Sequence, residues 1–301
     1  MENVIQVKNV EKKYKNFRLA VPELAIPKGF ATALIGENGA GKTTLINILA
    51  GTRLDYKGEL CFFGRYNDAD REKPESGVRE AIGYTGPGCY YLPHWNIKQV
   101  GEVSELLFEN FRPEKYDRLL AELGLAGEGN PGNGKKVSEL SDGNRMKLML
   151  AGVLARDTKL LILDEPASPL DPLMRDKLCE MIREYLADGG GERSVLFSTH
   201  NISDMENVTD YAVIMEHGAV VEQGFVEELK EKYVLVKGEK EDAQKAREVL
   251  YSMTENRYGF EGICLAEKLD RLAGMDVCTE TPNLFQISVA VMRENTSLQF
   301  H

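Results

Sequence analysis

The fold of this chain is decided by one segment, Gly36-Glu37-Asn38-Gly39-Ala40-Gly41-Lys42-Thr43-Thr44. It has the spacing G-x-x-x-x-G-K-T and lies between an apolar run, residues 30–35, and a helix-forming run, residues 45–50. Glycines let the backbone curl so that successive N–H groups point inward, and the helix that follows adds the partial positive charge of its N-terminus. This strand–loop–helix pattern is typical of a loop that binds nucleotide phosphates. In that setting Lys42 reaches the β- and γ-phosphates, and the Thr43 hydroxyl ligates Mg²⁺.

Composition limits the size and class of the protein. The chain has 301 residues, 43% of them hydrophobic, which is enough for one large domain or for a large domain and a small one. Its net charge of −11 disfavours a general basic surface for nucleic acid. The five cysteines show no C-x-x-C pairing, so we expect neither a zinc site nor a disulfide framework.

Membrane association is not encoded directly in the sequence. The first six residues do not have the pattern of a signal peptide. No apolar run approaches the roughly 20 residues that span a bilayer. If the protein works at a membrane, we expect another chain to supply the membrane part.

A second strong signal is the run Leu160–Leu163, which is followed by Asp164 and Glu165. A continuously apolar run is typical of a strand buried in a parallel sheet, and such sheets bind ligands at the carboxyl ends of their strands. We therefore predict that Asp164 holds Mg²⁺, through water, and that Glu165 orients or deprotonates a water molecule. The alternative is a strand end with two solvated acids, and the phosphate-binding loop in the same chain favours the catalytic interpretation.

Three weaker signals surround these two. His200 follows residues 194–199, which we predict to form a buried strand. It therefore ends a strand as Gly36 and Asp164 do, and we expect it to face the same ligand rather than only to pack there. Ser141 is well placed to cap the helix 145–154, and with Gly143 it also forms a good anion site, although spacing alone favours an ordinary cap. Tyr14 either stacks on an adenine ring or is a surface residue in a turn.

The remaining segments give an α/β order of elements. We predict strands at 5–10, 17–21, 58–64, 81–85, 211–215 and 219–224. A loop or short helix is expected at 68–80 and a loop at 86–93. Helices are expected in the block 96–155, which has a break at 127–136, and at 173–186 and 226–232. We predict a strand at 233–237, where the character of the sequence changes. Beyond it we predict an accessory domain with helices at 241–250 and 268–273 and a strand at 259–266, and residues 282–292 fit either a strand or a helix.

The motifs, in this order, resemble the nucleotide-binding subunit of an ABC transporter over about residues 3–232. The resemblance implies a P-loop NTPase core of the ABC ATPase type, with an antiparallel β subdomain and a helical subdomain at about 96–155. Residues 233–301 then form a small α+β C-terminal extension. It also implies that two subunits form a head-to-tail dimer that sandwiches two molecules of ATP, each with Mg²⁺.

The resemblance assigns roles to the matching residues. By it, Tyr14 stacks on adenine, and Gly36 to Thr44 hold the phosphates. The segment 140–144, with Ser141, Gly143 and Asn144, is the signature that contacts the γ-phosphate of the opposite subunit.

The acidic strand end and two further positions also match the family. Asp164 is the Mg²⁺-site aspartate, Glu165 the catalytic base and His200 the switch histidine. Asp171 lies where the family has an aspartate that contacts the other subunit.

Two departures from the family stand out. Asp142-Gly143-Asn144 replaces the usual Gly-Gly-Gln, and Thr85-Gly86-Pro87-Gly88 stands where the family has a Gln that helps to ligate Mg²⁺ and couples to the membrane subunit. Water can fill the missing metal position. We expect a weakened or altered signature contact and slow hydrolysis.

The tail resembles, more weakly, the extension of ATPases that serve ABC-2-type export permeases. We therefore expect a cytoplasmic protein on the inner face of the cell membrane, with a permease as partner, in a homodimer or in a heterodimer with a related ATPase, and without nucleic acid. One alternative is a soluble ABC ATPase acting on ribosomes or DNA, which the single phosphate-binding loop and the lack of heptads disfavour. The other is a nucleotide-sensing partner with little hydrolysis.

Overall fold

The computed structural model of the chain describes residues 2–73, 77–126 and 134–299, without the side chains of 71, 72 and 295–299. Within these ranges the strands are β1 (Asn3–Lys13), β2 (Arg18–Pro27), β3 (Ala31–Ile35), β4 (Lys57–Phe62), β5 (Tyr66–Asn67), β6 (Ile82–Thr85), β7 (Leu160–Leu163), β8 (Ser194–Thr199), β9 (Tyr211–Glu216), β10 (Ala219–Phe225), β11 (Tyr233–Glu239), β12 (Tyr251–Glu255), β13 (Gly259–Leu265) and β14 (Val277–Glu280). The helices are α1 (Lys42–Leu49), α2 (Val78–Ala81), α3 (Ile97–Leu107), α4 (Pro113–Glu122), α5 (Asp142–Leu154), α6 (Pro172–Ala187), α7 (Val226–Lys232), α8 (Ala243–Ala246) and α9 (Leu284–Gln299). None of these helices is long and apolar enough to cross a bilayer.

A six-stranded sheet in the order β10-β9-β3-β8-β7-β6 forms the centre of the molecule. Its strands are parallel except for β10, which pairs antiparallel with β9. Strands β3, β8 and β7 are neighbours, and all their residues are buried, as their apolar sequences predict. Because neighbouring parallel strands end at the same edge, the segments that follow these three strands meet there.

The two faces of this sheet are covered by different elements. Leu160 and Ile162 of β7 face α1 and a second, antiparallel sheet in the order β2-β1-β4-β5. Leu161 and Leu163 alternate to the other face and pack in the larger core, which contains residues of α3 to α6. The α/β class predicted from the sequence is confirmed, and so is the pairing of the strands predicted at 5–10 and 17–21.

The predicted helical block contains α3, α4 and α5. Asn96 caps α3 in a reciprocal arrangement with Gln99, and Ser141 caps α5. The predicted break at 127–136 falls largely on residues 127–133, which lie outside the described residues, as do residues 74–76 of the predicted segment 68–80.

The C-terminal part carries a third sheet, in the order β12-β13-β11-β14, with a small core of its own. Its last element is a helix, α9, which resolves the strand-or-helix alternative at 282–292. Leu284, Ile287 and Ala290 of α9 are buried in the larger core and not in the small one. The helix predicted at 241–250 is shorter, Ala243–Ala246, and the one at 268–273 is a 3-10 helix, Ala266–Leu272. The domain boundary at residue 233 stays a prediction.

Candidate functional site

The phosphate-binding loop lies between β3 and α1, and its glycines are needed for its shape. Gly39 and Gly41 have φ angles of +91° and +104°, which favour glycine, and a Cβ on Gly36 would lie 2.6 Å from the carbonyl oxygen of Met215. Lys42 is buried, and its Nζ donates to the carbonyl oxygens of Gly36 at 2.7 Å and Glu37 at 3.2 Å. The loop therefore surrounds the ammonium group that is expected to bind phosphate.

Asp164 follows β7 and is fully buried. Its Oδ1 accepts hydrogen bonds from the hydroxyls of Ser198 and of Thr43, the latter at 3.4 Å. Its Oδ2 is buried and has no hydrogen-bond partner among the described residues. Burial raises the pKa of Asp164, while the hydrogen bonds from Ser198 and Thr43 act in the opposite direction.

The oxygens of Asp164 and Thr43 fit a hard cation. A buried carboxylate oxygen without a partner, beside a hydroxyl, suits Mg²⁺, which binds proteins through one or two such groups and otherwise keeps waters and substrate phosphates. The described residues contain no cluster of three or more His, Cys, Asp and Glu side chains that could enclose a metal by themselves. Phosphate oxygens and water would therefore supply the rest of the coordination.

Glu165 lies between a cation and a histidine. Its Oε1 is 3.4 Å from Lys42 Nζ, and its Oε2 is 2.8 Å from His200 Nδ1. Its backbone has φ of +50°, which is strained for a residue other than glycine, and its N–H donates to Ser198 Oγ at 2.9 Å. Strain of this kind occurs at functional sites where the surroundings hold the residue in place. Here it directs a half-buried carboxylate towards the cleft in front of the loop.

That cleft has a volume of about 910 Å³, within the usual range for small-molecule sites. The phosphate-binding loop, Glu165 and His200 line one side. Residues of α5 line another, and Pro87, Gly88 and Cys89 border a third. The cleft thus brings together the groups predicted from three separate stretches of sequence.

The aromatic residue that lines this cleft is Phe17, and Tyr14 does not line it. Tyr14 is 41% exposed, and Lys12 Nζ and Arg53 lie 5.4 and 5.6 Å from its ring centroid. Phe17 packs against the loop, since a Cβ on Gly41 would lie 2.9 Å from Phe17 Cζ. Adenine stacking by Tyr14 stays a prediction, and Phe17 becomes a second candidate that sequence reasoning missed.

The segment at the start of α5 has the predicted cap. Ser141 Oγ accepts from the backbone N–H of Asn144 at 3.3 Å. A Cβ on Gly143 would lie 2.8 Å from the carbonyl oxygen of Pro169, so this turn packs closely on the loop after Glu165. Ser141, Gly143 and Asn144 do not line the cleft of their own chain, whereas Asp142 and Arg145 do.

Asp171 lies at the end of that loop. It caps α6, because its Oδ1 accepts from the backbone N–H of Met174 at 3.1 Å. Its carboxylate therefore has a structural partner within the chain.

Ser198 is a site residue that sequence reasoning missed. It holds both acids, donating to Asp164 and accepting from the backbone of Glu165. The available signal was the register of two apolar runs: Leu163 pairs with Phe197, which places Asp164 next to Ser198. A serine inside an apolar strand, opposite an acid, indicates such a bond.

The loop that departs from the family packs closely against Tyr84. A Cβ on Gly86 would lie 2.4 Å from the Tyr84 hydroxyl, which donates to Asn47 Oδ1 of α1 at 3.0 Å. Burial raises the pKa of Tyr84 to about 12, and the nearby Asp164 carboxylate adds to the shift. The Tyr84 hydroxyl is protonated at neutral pH, as in an ordinary tyrosine, and its proton is used in the bond to Asn47.

Comparison with known proteins gives concordant matches. A profile of the ABC transporter family matches residues 19–168. The lantibiotic transport ATP-binding protein SrtF of Streptococcus pyogenes is 32% identical over 207 residues, which cover 68% of this chain and 83% of SrtF. The energy-coupling factor transporter ATP-binding protein EcfA2 of Methanospirillum hungatei is 31% identical over 209 residues, 67% of this chain and 50% of that protein.

Solved structures agree with these sequence matches. A structure of the ATP binding subunit of an ABC transporter has a TM-score of 0.63 and 25% identity, covering 75% of this chain and 92% of that one. The dimeric ABC transporter cassette MJ0796 has a TM-score of 0.62 at 19% identity, and the match covers 73% of this chain and 98% of MJ0796. At this identity the match supports the fold alone. Because it covers 83% of SrtF at 32% identity, the chain belongs to the family of ABC transporter ATP-binding proteins.

Proposed function

We propose that this chain binds and hydrolyses ATP and so powers a separate membrane permease in export. The observation that carries the proposal is the meeting of Lys42, Thr43, Glu165 and His200 at one cleft, with the buried Asp164 carboxylate hydrogen-bonded to Thr43. A transport role is supported by the lantibiotic transport named for SrtF, and export by the weak resemblance of the tail to that of ABC-2-type ATPases.

The loop and its helix bind the triphosphate. The N–H groups of residues 36–44 and the N-terminus of α1 surround the phosphates, and Lys42 contacts the β- and γ-phosphates in place of its present carbonyl partners. Thr43 and Asp164 would hold Mg²⁺, which neutralises charge that develops on the phosphate oxygens.

Glu165 acts on the attacking water. Its two oxygens are held by Lys42 and His200, so the carboxylate is oriented before the water arrives. It accepts a hydrogen bond from the water or removes its proton, and His200 donates to a γ-phosphate oxygen or to the same water. Ser141, Gly143 and Asn144 of a second subunit contact the γ-phosphate, since in their own chain they do not line the cleft.

The partners follow from the same proposal. The subunit forms a homodimer, or a heterodimer with a related ATPase, and binds a permease on the cytoplasmic face of the cell membrane. Its net charge of −11 does not favour nucleic acid as a partner. Purification from membranes should recover a multi-span membrane protein with the chain.

The test is ATP turnover by wild type and Glu165→Gln, with and without the permease. Wild type should hydrolyse ATP slowly and only with Mg²⁺, because water replaces one missing ligand at small cost. Glu165→Gln should lower kcat by about 10²-fold or more, because it removes the base, while ATP binding is retained. Glu227→Gln, at an exposed position, is the matched control.

Equal inactivity of wild type and Glu165→Gln in both conditions would contradict the enzymatic proposal. It would favour the second candidate, a nucleotide-sensing subunit. The observation behind that candidate is that Pro87, Gly88 and Cys89 border the cleft where the family has a Gln side chain.

A further inference from the structure

The C-terminal helix α9 packs directly on the residues that follow His200. We name residues 200–208 the His200 segment. It contains two short 3-10 turns, Ile202–Asp204 and Glu206–Val208. Their apolar side chains and those of α9 are buried in the same core.

One hydrogen bond joins α9 to the His200 segment at the helix N-terminus. The backbone N–H of Leu284 donates to Glu206 Oε1 at 2.8 Å. The first N–H groups of a helix have no partner within the helix, and a carboxylate there is also stabilised by the helix dipole. Asn283 and Gln286 cap the same turn reciprocally, at 2.8 and 2.9 Å, without reaching the His200 segment. The start of α9 is thus held by two independent sets of bonds, and only one of them leads to the site.

The other side of the His200 segment is fixed by α6. Arg175 Nη1 lies 2.9 Å from Asp204 Oδ2, and its Nε donates to the carbonyl oxygen of Leu170 at 2.9 Å. Leu170 belongs to the loop that follows Glu165. Asn201, next to His200, donates to the same Asp204 carboxylate at 3.0 Å. The His200 segment is therefore clamped between α6, which also holds the loop after Glu165, and α9.

We propose that Glu206 is a positioning residue for hydrolysis. Through its bond to Glu206, the C-terminal helix α9 keeps His200 within hydrogen-bond distance of Glu165. The proposal rests on the proposed ATPase function. His200 is 44% exposed at its side chain and is bonded to Glu165, so its position depends on the backbone that carries it. In this arrangement the C-terminal part of the chain controls the turnover rate without touching the nucleotide.

The experiment compares Glu206→Ala, Glu206→Gln and Asn283→Ala with wild type. Glu206→Ala should lower kcat by about 10-fold, because a displacement well below 1 Å at a catalytic group is costly. The KM for ATP should not change, since the phosphate-binding loop is not involved. Glu206→Gln retains an oxygen acceptor and should restore most of the activity. Asn283→Ala weakens the start of α9 but leaves the bond to Glu206, so its kcat should equal that of wild type.

A second measurement does not depend on turnover. Hydrogen–deuterium exchange of peptides that cover residues 200–208 should be faster in Glu206→Ala and unchanged in Asn283→Ala. Equal exchange rates in Glu206→Ala and Asn283→Ala would overturn the proposal. So would a loss of kcat that is proportional to the loss of Tm in both variants. If wild type hydrolyses no ATP, the proposed function fails, and the exchange comparison alone decides whether Glu206 holds the segment.

Discussion

At the scale of single residues, two acids of the site, Asp164 and Glu165, are in arrangements that lower the stability of the fold. The Oδ2 of Asp164 is buried with no partner among the described residues, and an unpaired buried carboxylate oxygen costs several kcal/mol or shifts its pKa. Glu165 has a strained φ of +50°, which costs on the order of 1–3 kcal/mol. Ser198 links the two residues, since it donates to Asp164 Oδ1 and accepts from the backbone N–H of Glu165. The positions that a stable fold would avoid thus coincide with the positions that the proposed chemistry needs.

The choice between Phe17 and Tyr14 as the residue that stacks on adenine is tested at this scale. We expect Phe17→Ala to weaken ATP binding about 10-fold, since stacking of a base on an aromatic ring contributes about 1–3 kcal/mol. Tyr14→Ala should have little effect, because Lys12 and Arg53 already lie close to its ring. Calorimetry with ATP measures both, and Lys42→Ala, which should abolish tight binding, is the positive control.

Inorganic triphosphate separates stacking from packing. It has no base, so its affinity should be the same in Phe17→Ala and wild type if Phe17 stacks on adenine. An equal loss for ATP and triphosphate would mean that Phe17 only supports the loop at Gly41, and a loss confined to Tyr14→Ala would restore Tyr14 as the stacking residue.

At the scale of elements, the turn between β9 and β10 supports the phosphate-binding loop. His217 and Gly218 have φ of +47° and +85°, as in the tight turns of two-residue hairpins. Gly218 donates to the carbonyl oxygen of Ala40 at 3.0 Å, and its own carbonyl oxygen accepts from Ala20 at 2.7 Å. This turn therefore joins the loop to β2.

We expect Gly218→Ala to be much more destabilising than Gly190→Ala. Both positions have positive φ, which costs an alanine about 1–2 kcal/mol. A Cβ on Gly218 would also lie 2.0 Å from the carbonyl oxygen of Arg18, whereas one on Gly190 would have no neighbour within 4 Å. The clash should add about 1–3 kcal/mol to the loss of unfolding free energy, measured with denaturant. Equal losses in the two variants would show that the turn moves freely to admit the methyl group.

Elements with a clear pattern were predictable, and short or ambiguous elements were not. The runs 160–163 and 194–199 were correctly predicted as buried strands, because the first is apolar throughout and the second has an apolar centre, Val195–Phe197. Residues 282–292 were ambiguous because Ile287, Val289 and Val291 alternate like a strand, and burial of Leu284, Ile287 and Ala290 against the central sheet decides for a helix. Strands β12 and β14 were missed, since they are short and none of their residues is fully buried.

At the scale of the whole molecule, the C-terminal part is continuous with the ATPase core. Tyr233, Leu235 and Ile263 of the third sheet lie in the larger core with α9, while Val236 and Phe260 lie in the small one. A boundary drawn at residue 233 from the change in sequence character therefore crosses a shared apolar core. Motion of the third sheet relative to the central sheet would have to disturb that shared core, which also contains residues of the His200 segment.

Assembly is the last property that depends on the whole molecule. Ser141 caps α5 and does not line its own cleft, which agrees with the proposal that the signature acts on the nucleotide of a second subunit. We expect ATP with Mg²⁺ to drive dimerisation, most visibly in Glu165→Gln, where blocked turnover keeps the closed state. The net charge of −11 on each chain opposes association, so the dimer should be stronger at higher ionic strength.

Light scattering of Glu165→Gln, with and without ATP, measures this association. Adding Ser141→Arg should prevent the dimer, because a bulky cation then occupies the signature, while the ATP affinity of the monomer is retained. Adding Thr279→Arg instead, on the exposed strand β14, is the matched control and should leave the dimer intact. A monomer of Glu165→Gln at saturating ATP and Mg²⁺ would contradict a homodimer, and mixing with a related ATPase would then show whether the second signature comes from a different chain.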